Sequence, residues 1–231
     1  MPEPSAASDV FFGKGQIKTS TYKEQAYNRI KEAILYQKLK PNTTYSQEAF
    51  CQELGISRTP VREALLELQK EGYIRFWRGK GIRIVSLDKD AIHDIMEMRL
   101  CLEKETAEMA ARRADPGDLE YICACLEESR LHLDSKDIDL CYRLDHKFHR
   151  AVGKAAHNQL LYRALDDVLD RYLQFEVLSI YQSYVDAHAI WEAHDHIYKA
   201  IAAGDADRAR AAAKTHLEDA YRRTLEKYWI G

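Results

Sequence analysis

The sequence predicts a mostly α-helical chain in two parts: an N-terminal winged helix-turn-helix with a small β-hairpin wing, then a C-terminal all-α antiparallel helical bundle. Three observations carry this expectation. Two short helix patterns flank Gly55, and the second carries Arg58 and Arg62. Two short apolar runs, 73–77 and 82–85, enclose the basic tip Arg78-Gly79-Lys80-Gly81. From Asp88 onward apolar residues recur at helical spacing, with no strand pattern.

Residues 1–19 are small, polar and aperiodic, which predicts a mobile tail. The spacing of Ala26, Ile30, Ala33 and Ile34 predicts a first helix over 22–36, entered near Thr21. Lys40-Pro41-Asn42-Thr43-Thr44 reads as a turn. Ser46 can cap a helix over 47–54, and Gly55 permits the tight turn that follows. Ser57 or Thr59 can cap the next helix, in which Pro60 falls in the first turn. Val61, Ala64, Leu65 and Leu68 form its apolar stripe, with Arg58 and Arg62 away from it, and Gly72 can end it at positive φ. This head spans 20–87. The remainder, 88–231, divides into helices over 90–114, 118–133, 138–156, 159–182, 185–203 and 205–227.

The charge is divided in the same way. The whole chain carries a net −3, but residues 1–85 hold 14 Lys and Arg against 9 Asp and Glu, while residues 86–231 hold 20 against 28. A basic front beside an acidic back is the electrostatic footprint of a DNA reader joined to a second module. It excludes a sequence-indifferent DNA-packaging protein, which would be basic throughout. Arginine can grip guanine bidentately in the major groove, and Lys80 with the wing amides suits phosphates or the minor groove. No apolar run is long enough to span a membrane, and the N-terminus lacks the pattern of a signal peptide. The five cysteines, 51, 101, 123, 125 and 141, have no zinc-motif spacing and read as reduced core thiols of a cytosolic protein.

In the bundle, Asp145 and His149 are four apart on one helix face. His194 lies on the inward stripe of its helix with Ile190, Ile197 and Ile201, and His216 lies inward with Ala209, Ala213 and Leu217. Four polar groups on three apolar faces need partners. Separate hydrogen bonds would serve, and so would one shared divalent cation. His146, His188 and His196 fall on other faces, and His93, His132 and His157 lack ligand-like surroundings. Arg99 faces inward, where either a bundle carboxylate such as Asp145 or Glu103, or a ligand carboxylate, can neutralise it.

The stretch ISRTPVREAL followed by EGYIRFWRGKGIRIV resembles the winged-helix signature of the GntR family of bacterial transcription regulators, over roughly 20–86. The stretches LDHKFHRAVGKAAHN and EAHDHIYKAIAAGDADRARAAAKTHL resemble the FCD effector domain of its FadR subfamily, over roughly 90–228. The resemblance implies operator contacts at Arg58, Thr59, Arg62, Gly79 and Lys80, beside Arg78 in the same basic tip. It implies a divalent metal on Asp145, His149, His194 and His216, with zinc favoured and nickel or manganese also suiting imidazole and carboxylate. It further implies a small carboxylate effector near Arg99 and Asn158, a homodimer on a pseudo-palindromic operator, repression, and a bacterial cytoplasmic location beside the nucleoid. The sequence departs from the family pattern where Tyr45 and Glu48 replace the usual Leu and basic residue before the turn. A metal-dependent hydrolase fused to a DNA-binding head is the competing class, since three His and one Asp around zinc could activate water. No nucleophile or oxyanion motif accompanies them.

Overall fold

The computed structural model describes residues 21–179 and 186–229. The expected tail, and the last residues expected of the fourth bundle helix, lie outside them. Helix α1 (Tyr22–Leu35) starts in a capping box: the Thr21 hydroxyl accepts from the Glu24 amide, and the Glu24 carboxylate accepts from the Thr21 amide. Strand β1 (Thr44–Tyr45), α2 (Gln47–Leu54) and α3 (Arg58–Lys70) follow, then β2 (Ile74–Trp77) and β3 (Gly81–Ile84). The Ser46 hydroxyl caps α2 through the Ala49 amide, and Gly55 turns the chain at φ 66°.

Two expectations need correction here. Ser57 stands at the N-cap of α3, yet neither it nor Thr59 supplies a capping side-chain bond. Pro60 occupies the third helical position, so one amide that a capping hydroxyl would accept from does not exist. The wing also has three strands rather than two: 44–45, expected as turn and loop, pair antiparallel with β3 in the order β1-β3-β2. Two residues are too few to show a period in sequence. Gly81, at φ 109°, makes the pairing possible, because a Cβ there would collide with the Tyr45 carbonyl.

The second part is α4 (Lys89–Arg113), α5 (Pro116–Arg130), α6 (Ile138–Ala155), α7 (Gln159–Ser179), α8 (Ala187–Ala202) and α9 (Ala206–Trp229). Asp115-Pro116-Gly117, read in sequence as a break, is the start of α5. Asp115 caps it reciprocally with Asp118, and Pro116 takes the first position, where its missing donor costs nothing. Helix α4 is the axial member and packs on α6, α7, α8 and α9. The cysteines are all free, but only Cys51 and Cys125 are buried core thiols; Cys101 is exposed and the other two are half-buried.

Helix α7 joins the two parts. Within little more than one turn, 170–174, it touches both. Lys31 of α1 pairs with Asp170 at 2.7 Å. Arg171 donates to the Glu71 carbonyl at the end of α3 and lies over the Tyr73 ring. Leu173 enters the head's own core with Ile34, Leu68 and Ile84. Gln174 donates to the Val85 carbonyl and accepts from Gln37, both at 3.0 Å. Tyr172, between these, faces the bundle interior beside Arg99.

Gly81→Ala should destabilise the head by about 1–3 kcal/mol through the positive φ and the Tyr45 collision. Thermal melting of the full chain checks this, and an unchanged midpoint would show that β1 can detach without cost.

Candidate functional site

In the head, burial of Val61, Ala64, Leu65 and Leu68 against α1 and the sheet leaves Arg58, Thr59 and Arg62 exposed on the opposite face of α3. Arg58 is not idle there. Its guanidinium pairs with Glu48 of α2, with Nη2 to Oε2 at 2.6 Å. Arg78, Gly79 and Lys80 are exposed at the wing tip, where the Lys80 amide donates to the Trp77 carbonyl and Gly79 takes φ 74°. The sequence-derived DNA contacts therefore form one solvent-facing set on α3 and the adjoining wing.

In the bundle, α6, α8 and α9 bring His149, His194 and His216 together, all buried. His194 Nε2 lies 3.3 Å from His216 Nε2 and 3.5 Å from Asp145 Oδ1, and His149 Nε2 lies 3.7 Å from Asp145 Oδ2. Four ligands at zinc-ligand bond lengths of about 2.0–2.1 Å stand on the order of 3.3 Å apart at tetrahedral corners. The nitrogens of the three imidazoles lie within 4.8 Å of one another, and the His194–His216 spacing matches the tetrahedral value, with Asp145 somewhat farther from His194 and His149. His149 Nε2 is buried and makes no hydrogen bond, so its lone pair points at the shared centre with nothing to satisfy it. The residues present thus fit a divalent cation. Phe148 stacks on His194 with ring centroids 4.3 Å apart and holds its plane.

Glu103 of α4 completes the arrangement. One carboxylate oxygen lies 2.5 Å from His149 Nδ1, and the other accepts from Arg99 Nε at 2.6 Å. Burial would raise its pKa, but Arg99 and His149 together hold it well below the usual carboxylate range. A carboxylate behind a ligating imidazole fixes ring orientation and tautomer, a recurrent second layer around metal ions. The sequence reading had weighed Glu103 only as a partner for Arg99. That relation is visible as a four-residue helical step, whereas the contact with His149 joins two helices and leaves no local signal.

The other sequence-derived residues fall as follows. Arg99 is buried, as its stripe implies, and pairs with Glu103, and its guanidinium lies 4.0 Å over the Tyr172 ring. Asn158 stands at the helix start between α6 and α7. Its side-chain oxygen accepts from the Leu161 amide and starts α7, beyond the end of α6 at Ala155. His146 is outside the trio, as expected from its face, and is buried against Tyr172. His157, expected to lack ligand-like surroundings, meets Asp118 at 2.6 Å, but Asp115 and Asp118 already accept backbone amides in the α5 cap. The space beside the trio is small, about 10 Å³, lined by Glu103, Thr106, Phe148, His149 and His216 among others. It has room for about one water.

A winged head with exposed arginines and a histidine chamber in a helical bundle define a ligand-binding transcription regulator. Residues 22–84 match the model of the bacterial regulatory proteins of the gntR family, and residues 94–219 match the FCD domain. The chain belongs to the GntR family and carries an FCD effector domain. It is 34% identical over 194 residues to a candidate L-lactate dehydrogenase operon regulatory protein of Escherichia coli (strain K12), covering 74% of each chain. It is 28% identical to the Glc operon transcriptional activator of the same strain, over 79% of this chain and 78% of that one. Among solved structures, E. coli McbR/YncC shares the fold with a TM-score of 0.79 at 20% identity, over 91% of this chain and all of that one. These relatives are regulators, and the function is DNA-binding transcription control rather than catalysis. Among the described residues no helix is long and apolar enough to cross a membrane.

The trio sets a pH dependence. Burial, then the neighbouring imidazoles, push His194 well below the usual 6.5, and burial with His149 does the same to His216. The unfolded chain therefore takes up protons below about pH 6.5 that the folded chain refuses. Ion-free protein should keep this stability above pH 6.5 and lose it as pH falls through that value toward the depressed ones. Buried His146 is pushed down as well and adds to the same trend, while Asp145, raised by burial, opposes with one group against three. Melting of chelated protein between pH 7.5 and 5.5 checks the sign; a midpoint that rises on acidification would contradict it.

Proposed function

We propose that this regulator is a metal-dependent, ligand-responsive repressor that binds a pseudo-palindromic operator as a homodimer. Asp145, His149, His194 and His216 hold a divalent ion, zinc in the first instance, with nickel and manganese also compatible with the donor set. The observation that carries this is the convergence of three imidazole nitrogens and a carboxylate at ligand-to-ligand spacing around one unsatisfied nitrogen. The ion would supply open positions for a small carboxylate. L-lactate is the first candidate, from the name of the 34% identical relative. Arg58, Thr59 and Arg62 read base edges in the major groove, and Arg78, Gly79 and Lys80 follow the adjoining backbone or minor groove.

The same geometry suggests how the effector acts. A carboxylate that binds Arg99 would have to rearrange its existing pair with Glu103. The acid competes with Glu103 for Arg99, which lies on Tyr172, and the neighbours of Tyr172 along α7 hold the head. A ligand that favours the rearranged state shifts the population of head positions in proportion to its differential affinity for the two. Repression is part of the reading by family; the relatives include both the Glc operon activator and a repressor, RspR.

His194→Ala combined with His216→Ala should abolish the bound ion seen by elemental analysis of the purified chain; stoichiometric metal in that variant would remove both residues from the site. Arg62→Ala should cost about 1–3 kcal/mol on a duplex enriched by the wild type and relax its selectivity. A reporter carrying that duplex at its promoter should be silenced by the wild type and released by the variant. A reporter switched on instead would make this an activator.

A further inference from the structure

The wing carries more charge than its tip. The β2–β3 register sets Arg75 directly opposite Arg83. Strand alternation turns both away from the core, because Ile74, Ile82 and Ile84 fill the inner face. Like charges in opposed cross-strand positions destabilise a sheet. Neither arginine is neutralised by a carboxylate among the described residues. Arg75 makes no ion pair or hydrogen bond there, and Arg83 donates only to the neutral Asn42 side chain, at 3.0 Å. Trp77, two residues on from Arg75 and therefore on the same face, is 43% exposed. Its ring has Lys80 Nζ at 4.6 Å and the Arg83 guanidinium at 5.0 Å. No acidic residue occurs between 75 and 83; Asp88, beside this face, caps α4 through the Ala91 amide.

We propose that this outer face of the wing is a second DNA contact, binding the sugar-phosphate backbone beside the segment read by α3. Arg75 and Arg83 take phosphates, which removes their mutual repulsion. Trp77 is a positioning residue: its ring holds Lys80 and Arg83 in a fixed fan by cation–π contact and offers an apolar surface to the sugar edge. The face is continuous with the wing tip, and its charge complements a polyanion rather than an apolar partner. The inference rests on the DNA-binding role of the head and is independent of the chamber, so removal of the chamber histidines leaves it standing.

The test uses the full chain, a duplex enriched from a random pool by the wild type, and a scrambled duplex, each titrated over a range of salt. Arg75→Ala should weaken both duplexes by a similar factor and flatten the plot of log affinity against log salt by about 1. Arg75→Lys should restore most of the slope, and Arg75→Glu should bind worse than the alanine variant. Removing one of two opposed charges should leave the melting midpoint unchanged or raised, which separates a binding role from a structural one. Trp77→Ala should lower affinity, and Trp77→Phe should recover it. Wild-type affinity and slope in both Arg75→Ala and Arg75→Glu would overturn the proposal. So would a loss confined to the enriched duplex at unchanged slope, because Arg75 would then be reading bases.

Discussion

The buried carboxylate of Glu103 is the constraint on which the effector half depends. A charge removed from water costs several kcal/mol unless it is paired on every side. Glu103 meets Arg99 with one oxygen and His149 with the other, and these partners keep it ionised despite its burial. An ionised acceptor at Nδ1 selects the imidazole tautomer with its proton there and leaves the Nε2 lone pair facing the chamber. The same carboxylate fixes the guanidinium of Arg99 against Tyr172. One side chain on the axial helix therefore orients both the nitrogen presented to an ion and the cation presented to an anion. That arrangement also sets a condition on the proposed effector. An acid that reaches Arg99 displaces or shares with Glu103, and in doing so changes the support of His149. The metal and the acid would not be independent ligands of this bundle.

Helix α7 gives such a change somewhere to go. Arg99, reached from the chamber, presses on Tyr172, and the residues on either side of Tyr172 are committed to the head. Some of these contacts are to main-chain carbonyls, at Glu71 after α3 and at Val85 after β3. They grip the ends of the two elements that carry the DNA-facing residues rather than any movable side chain on them. Leu173 and Tyr142 extend the head's apolar core into the bundle, so the joint is packed as well as hydrogen-bonded. A packed joint moves by changing between discrete arrangements rather than by bending, which is what a two-state regulator requires.

The sequence made most of the fold legible because its signals are local. Ser46 and Gly55 bound α2, the Val61–Leu68 stripe orients α3, and apolar spacing outlines each bundle helix to within a few residues. The helix faces of Asp145, His149, His194 and His216 were equally readable, because inwardness is a property of one helix at a time. Illegible were the relations between elements: β1, defined only by its pairing with β3; the uncapped Ser57, undone by the missing amide of Pro60; and Glu103 reaching His149 across a helix pair. Asn158 shows the converse. Its position in a motif suggested a ligand contact, while its oxygen serves an ordinary helix start.

The departure at Glu48 bears on how the head chooses DNA. In the free chain Glu48 pairs with Arg58, so the recognition face is partly self-neutralised. Both partners are largely exposed, and an exposed pair contributes little to folding. Its consequence lies in binding. On the proposed operator Arg58 would exchange a carboxylate for a guanine edge or a phosphate, and a site that offers only backbone charge would return little more than Glu48 already provides. Glu48 itself, freed in that exchange, would repel nearby phosphates unless a cytosine amino group or a water takes its oxygens. The pair therefore penalises indiscriminate docking more than it penalises a matched operator. In the proposed complex, selectivity would be set partly by a repulsive group on α2 and partly by the arginines of α3, which is how a protein separates one duplex from many at modest total affinity.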